Sequence, residues 1–254
     1  MRKPTRMLVP LAAAALAVTM APSAASADDS STYQTTLDPL NGSSGSGMAM
    51  ITVEGNQAQV ELSWSGLPQT FMDADYPHVQ HIHIGAKGQC PTQALDKNGD
   101  GIVDTVEGTP AYGDIGTTLS VTGGTAPEDA TNIKIAPGGS SVDYSRSITL
   151  SPSTVNALNS GTGVIVVHGL DPATLSNKAA NAKSNLVPEL PLAATAPTLC
   201  GALSASPTGG VDTGSGSTEG MENIGLFGIG GGLLAVAGVA LVGRRRLHAA
   251  DQGE

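Results

Sequence analysis

Over residues 48–64 apolar and polar side chains alternate, and the alternation breaks only at Gly55-Asn56. Met48, Met50 and Thr52 fall on one side of the first run, with Ile51 and Val53 on the other. In the second run Val60, Leu62 and Trp64 share one face, and Gln59, Glu61 and Ser63 the opposite one. A period of two is the mark of a half-buried strand. Two such runs joined by Gly-Asn predict a hairpin with a two-residue turn. Trp64, the only tryptophan, is expected in the core.

The same signal recurs along the chain. Residues 33–37, 79–84, 118–121, 144–150, 164–167 and 192–203 read as further strands, with a weaker one at 133–135. Gly- and Pro-rich turns separate them. The one clear helix signal is Ser151 as a cap before Pro152, giving a short helix to about residue 158. About eight short strands and little helix predict an all-β body over residues 32–204, an antiparallel β-sandwich. The chain has seven aromatic residues, so the core must be built mainly from Val, Ile, Leu, Ala and Met.

The two ends set the compartment. Residues 1–27 read as a secretory signal peptide: Arg2, Lys3 and Arg6 precede an apolar run, and Ala25-Ser26-Ala27 offers a cleavage site. Residues 205–223 form a Gly/Ser/Thr-rich linker. Residues 224–243 then carry no charge over 20 positions, enough to cross a hydrocarbon core. Arg244, Arg245 and Arg246 follow at once, which places the tail 244–254 in the cytoplasm. The expected protein is a single-pass membrane protein with its body outside the cell. There is no LPxTG motif before the span. Between Asp28 and Glu222 six basic residues face 20 acidic ones, a net charge of −14. That balance excludes nucleic acid as a partner and favours cations. Cys90 and Cys200 both lie in the exported part and are expected to pair in an oxidising compartment, with two free thiols as the alternative.

Residues 96–107, DKNGDGIVDTVE, match D-x-[DN]-x-[DN]-G-x5-E at every position. In such a loop Asp96, Asn98 and Asp100 supply oxygens at positions 1, 3 and 5. Gly101 allows the sharp turn, Ile102 offers its carbonyl, Asp104 acts through a water, and Glu107 closes the sphere with both oxygens. The expected ligand is a structural calcium ion; a solvated Asp/Gly turn is the alternative. Cys90-Pro91 comes before the loop and Gly108-Thr109-Pro110 after it, so no flanking helix is expected.

The remaining chemistry lies in histidines. Strand alternation puts His81 and His83 on one face. His168 ends a buried apolar run, and His78 lies just upstream of the pair. These imidazoles are candidate copper or zinc ligands, although His-x-His in a strand also fits rings hydrogen-bonded to backbone at a sheet rim.

The segment HIHIGAKGQC, the DKNGDG loop and VIVVHG together resemble the chordin-type (CHRD) domain of bacterial exported proteins, across most of residues 32–204. The same landmarks are distantly similar to the copper/zinc superoxide dismutase sandwich. There an HxH pair precedes the first cysteine, a late apolar strand ends in histidine, and Cys-Gly closes the domain. Here these are His81 and His83, Cys90, His168, and Cys200-Gly201. The resemblance implies a Cys90–Cys200 bridge and an immunoglobulin-like Greek-key sandwich. It also implies copper at His81, His83 and His168, with His78 as a fourth candidate. The chain departs from the dismutase pattern in two respects. The loop after Cys90 has no histidine for a zinc ligand, and Pro197 stands where that family has its anion-guiding arginine. No Ser/His/Asp set, nucleophilic cysteine or phosphate loop is legible. The expected function is therefore a non-catalytic, calcium-stiffened surface module that binds an envelope partner or a metal. A copper-only dismutase-like enzyme, or a copper-binding protein without turnover, is the alternative.

Overall fold

A computed structural model of the chain describes residues 30–207. The expected signal peptide, membrane span, cytoplasmic tail and most of the linker lie outside the described residues. Among the described residues no helix is long and apolar enough to cross a membrane.

In chain order the strands are β1 (Ser30–Pro39), β2 (Ser46–Glu54), β3 (Gln57–Ser65), β4 (Thr70–Phe71), β5 (Ala74–Asp75), β6 (Gln80–Ile84), β7 (Asp114–Thr118), β8 (Ser141–Thr149), β9 (Val164–His168), β10 (Pro197–Ala202) and β11 (Ser204–Ala205). Two helices of eight residues, α1 (Thr105–Tyr112) and α2 (Pro152–Asn159), and two single turns, α3 (Asn177–Ala180) and α4 (Leu192–Thr195), complete the body. β4 and β5 form a small ribbon. The other strands form one antiparallel sheet in the order β7-β6-β9-β10-β1-β2-β3-β8, with β11 added beside β1.

β1 joins the two halves of this sheet. Its residues Ser30 to Leu37 pair with β2, and Asp38 and Pro39 pair with β10. The sheet curls there, so that one core takes Ile51, Val60, Leu62 and Trp64 from one half and Ile82, Ile165, Val167 and Leu199 from the other. The alternation over residues 48–64 sets this directly: Ala49, Ile51 and Val53 are buried, and Met48 and Met50 are exposed. Across the β2–β3 turn Glu54 pairs with Gln57. Gly55 takes φ +60°, the left-handed value required at the first centre of a type II′ turn. Trp64 is in the core as expected, and its ring N–H donates to Gln80 Oε1 at 3.1 Å. Gln80 in turn donates to the Leu119 carbonyl at 3.1 Å, so this buried polar pair is satisfied.

Three elements differ from the sequence reading. The strand expected at 133–135 is a 3-10 turn, because the Asn132 side chain accepts from Lys134 N–H and fixes a turn. The strand expected at 118–121 runs earlier, as β7, where a bulge opposite Ile82 and His83 absorbs the register. Residues 192–203 split into α4 and β10.

The largest correction concerns the acidic loop. A helix, α1, does follow it and passes through Gly108-Thr109-Pro110. Asp104 caps it: its carboxylate accepts from Glu107 N–H at 2.9 Å, and Glu107 accepts from Asp104 N–H at 3.1 Å. This reciprocal box outweighs the poor helix propensity of Gly and Pro. Gly108 is matched to its place, since an added Cβ would lie 2.5 Å from the Tyr112 ring.

The second face of β6, β9 and β10 is covered by the excursion between β6 and β7 and by residues 170–196. Cys90 and Cys200 form a disulfide that ties the excursion to β10 across 110 residues. Tyr112, Val164, Val166 and Cys200 pack together beneath it.

Candidate metal centre

β6 and β9 run antiparallel with Gln80 opposite Val167, His81 opposite Val166 and His83 opposite Val164. Residues 80 and 82 turn into the core, so His81 and His83 emerge on the other face together, as strand alternation requires. His168 lies two residues beyond Val166 and shares that face. The three rings meet: centroid separations are 5.2 Å for His81 and His168, 5.8 Å for His81 and His83, and 6.2 Å for His83 and His168. One nitrogen from each lies within 4.8 Å of the others. All three side chains are buried.

Each ring is held from behind by a backbone carbonyl. His81 Nε2–H donates to Ala130 O at 3.1 Å, His83 Nδ1–H to Gly113 O at 2.9 Å, and His168 Nδ1–H to Thr195 O at 2.7 Å. These bonds fix the tautomers and leave lone pairs on His81 Nδ1, His83 Nε2 and His168 Nε2. Those three atoms are buried and, among the described residues, have no hydrogen-bond partner. Ligating histidines typically carry their second ring nitrogen on a carbonyl in this way. Neutral imidazole nitrogens suit copper and zinc, with bonds of about 2.0–2.1 Å to zinc. Three nitrogens bound to one ion at that length lie about 3.3–3.6 Å apart, so rings whose nitrogens now lie within 4.8 Å of one another would draw together on binding.

The supports of the rings form a connected set. Tyr112 stacks its ring edge against His83, with centroids 4.4 Å apart, and its hydroxyl donates to Thr105 O at 2.8 Å. Thr105 Oγ1 donates to Thr195 O at 2.7 Å, the same oxygen that holds His168. Gly113 takes φ +90°, and an added Cβ there would sit 1.9 Å from Ile84 O. Only glycine can bring this carbonyl to His83.

Burial also sets the charge state. It holds His83 down to about 4 and His168 down to about 3. His81 is held well below the usual range, by burial first and then by the neighbouring His168 and His83. All three are therefore neutral at pH 7, as metal ligands must be. The sign of the stability effect follows. Above the ordinary value of 6.5 the rings are neutral in both folded and unfolded chains. As pH falls from there toward about 4, the unfolded chain takes up protons that the folded chain refuses, so stability declines with pH. The metal-free chain is expected to melt at progressively lower temperature between pH 6.5 and 4.5, and the fall should be shallower in His83→Gln. Calorimetry across that range checks this.

His78 does not join the cluster. Its Nδ1 lies 2.8 Å from His168 O and its Nε2 lies 3.0 Å from Pro68 O. Both nitrogens face carbonyls, so His78 bridges the end of β9 and the loop before β4 and stands outside the three-ring group.

The acidic loop lies apart. Among the described residues the three histidines are the one group of three or more His, Cys, Asp or Glu whose ligand atoms come this close. The carboxylates instead meet the loop's own amides. Asp96 accepts from Gly99 N–H at 2.8 Å and Gly101 N–H at 2.9 Å. Asn98 accepts from Asp100 N–H at 2.9 Å, and Asp100 from Ile102 N–H at 2.8 Å. Glu107 reaches back to Lys97 N–H at 2.8 Å. Outside the loop, Asn185 donates to Asp104, Ser176 donates to Asp100 O, and Ile102 packs with Leu170 and Leu192.

The sequence reading located the three rings but missed their anchors. Backbone carbonyls of Ala130, Gly113 and Thr195 leave no trace in side-chain identity; Gly113 alone gives a hint. No protein-family model matches the chain, and no curated protein matches it.

Proposed function

We propose that this chain is an exported surface module whose β body holds one copper ion at His81, His83 and His168. The observation that carries this reading is the three convergent ring nitrogens, buried and without partners. An unsatisfied buried acceptor costs about 1–3 kcal/mol. Three together are a standing cost unless something binds them, and a cation is what three lone pairs accept. Copper exceeds zinc at nitrogen sites in the general order of affinity. In this reading the body is a Greek-key, chordin-type sandwich, tethered by residues 224–243 and acting by binding rather than turnover. Pro197 at the anion-guide position and the exported charge of −14 support the choice of binding over dismutation. The test is a copper titration of the full chain. One equivalent retained against a chelator is expected; none retained would overturn the reading, and superoxide turnover by the loaded chain would move it to the dismutase class.

The loop 96–107 is, in the same reading, a structural calcium site. The twelve-position match and the capped helix that leaves it at Thr105 support this. Calcium should raise the melting temperature by several degrees over chelator. Asp96→Ala/Glu107→Ala should abolish the difference, and an unchanged melting curve in the unsubstituted chain would remove calcium from the account.

A further inference from the structure

A cavity of about 80 Å³ opens beside the imidazoles, lined by His81 and His168 together with Val79, Ile115, Leu190 and Ala194. Among the described residues no charged side chain lines it. Its buried hydroxyls are already committed: Thr105 donates to Thr195 O, and Thr195 donates to Ser184 Oγ. Ile133 and Leu186, each 48 % exposed, add apolar surface at its edge. An anion entering here would lose its hydration and find, among the lining side chains, no charged group and one uncommitted hydroxyl, that of the exposed Thr131. A small apolar molecule would lose little. The volume is roughly half that of the dry, ~150 Å³ apolar cavity known to take benzene or xenon. That limits the occupant to a few heavy atoms.

We propose that this cavity is a ligand site beside the three-imidazole centre and takes a small uncharged, apolar molecule in preference to an anion. The placement beside a metal rests on the copper reading above; the cavity and its selectivity for apolar molecules rest on its lining alone. The neighbouring side chains can be varied without touching the carbonyls that anchor the rings, because Leu190 and Val187 lie outside that set.

Xenon is the probe for the metal-free full chain, followed by its NMR shift. A saturable xenon shift is expected, and Leu190→Trp, which fills the cavity, should remove it. Val187→Phe serves as a second filler if the first does not melt like the parent chain. Absence of the shift, or a shift that both folded variants retain, would overturn the proposal. The second arm adds azide to the copper(II)-loaded chain. No azide-to-copper absorption band should grow in at millimolar azide, and Leu190→Trp should keep its copper. A saturating azide band would overturn the preference for uncharged ligands. A chain that binds xenon but retains no copper would overturn the copper reading, and with it the ligand's placement beside a metal, while upholding the apolar site. The two failures are thus distinguishable.

Discussion

Replacing His168 by alanine should weaken copper retention by at least about 100-fold, because loss of a partner behind a ligand already costs 10–100-fold and here the ligand itself is lost. A competition titration against a chelator of known affinity measures it. His168 is the decisive choice among the three. It comes from β9, whereas His81 and His83 come from β6, so without it the remaining pair is a strand-borne His-x-His with two donors. The variant also removes one of three unpartnered buried nitrogens. Its metal-free form should therefore fold, losing the ring's packing while shedding part of the cost of the orphaned acceptors. Retention of copper at the parent affinity by this variant would place the metal elsewhere on the chain.

Breaking the Cys90–Cys200 bridge should have the largest effect on stability. The cysteines are 110 residues apart. In the chain-entropy account, closing a loop of about 100 residues contributes about 4.7 kcal/mol. Domains have about 5–15 kcal/mol in all, so Cys90→Ser/Cys200→Ser should lower the melting temperature by about 10–20 degrees. Cys200 pairs with Val166 across β10 and β9, on the strand that carries His168. Thermal melts of the double variant and the parent, at equal calcium and without copper, compare the two chains. A difference of only a few degrees would mean that the excursion stays docked without its covalent tie.

Much of this protein is legible in its sequence because strands encode their faces. The period of two over residues 48–64 determined which side chains fill the core, and the same rule put His81 and His83 together. The β-branched run Val164–Val167 announced a strand buried on both faces, and the strand Val164–His168 is buried throughout. Convergence was not legible. It depends on β9 lying beside β6 with His81 opposite Val166, a pairing between residues far apart in the chain. α1 was missed for a different reason. Asp104 and Glu107 were read as cation ligands, yet the same two residues also form a capping box. In the structure that pair caps α1, and Gly108 and Pro110 drew the reading away from this role. Leu170 to Thr195, which closes over the centre, offered only weak turn signals.

The three carbonyls behind the rings come from three separate segments: the turn after residue 129, the end of α1, and the end of α4. A nascent chain has its histidines as soon as they are made, but it has the centre only after those segments have docked. On the copper reading proposed above, capture would follow that docking. An ion held there would mark the outer layer as in place, because a half-folded chain lacks the carbonyls that orient the rings.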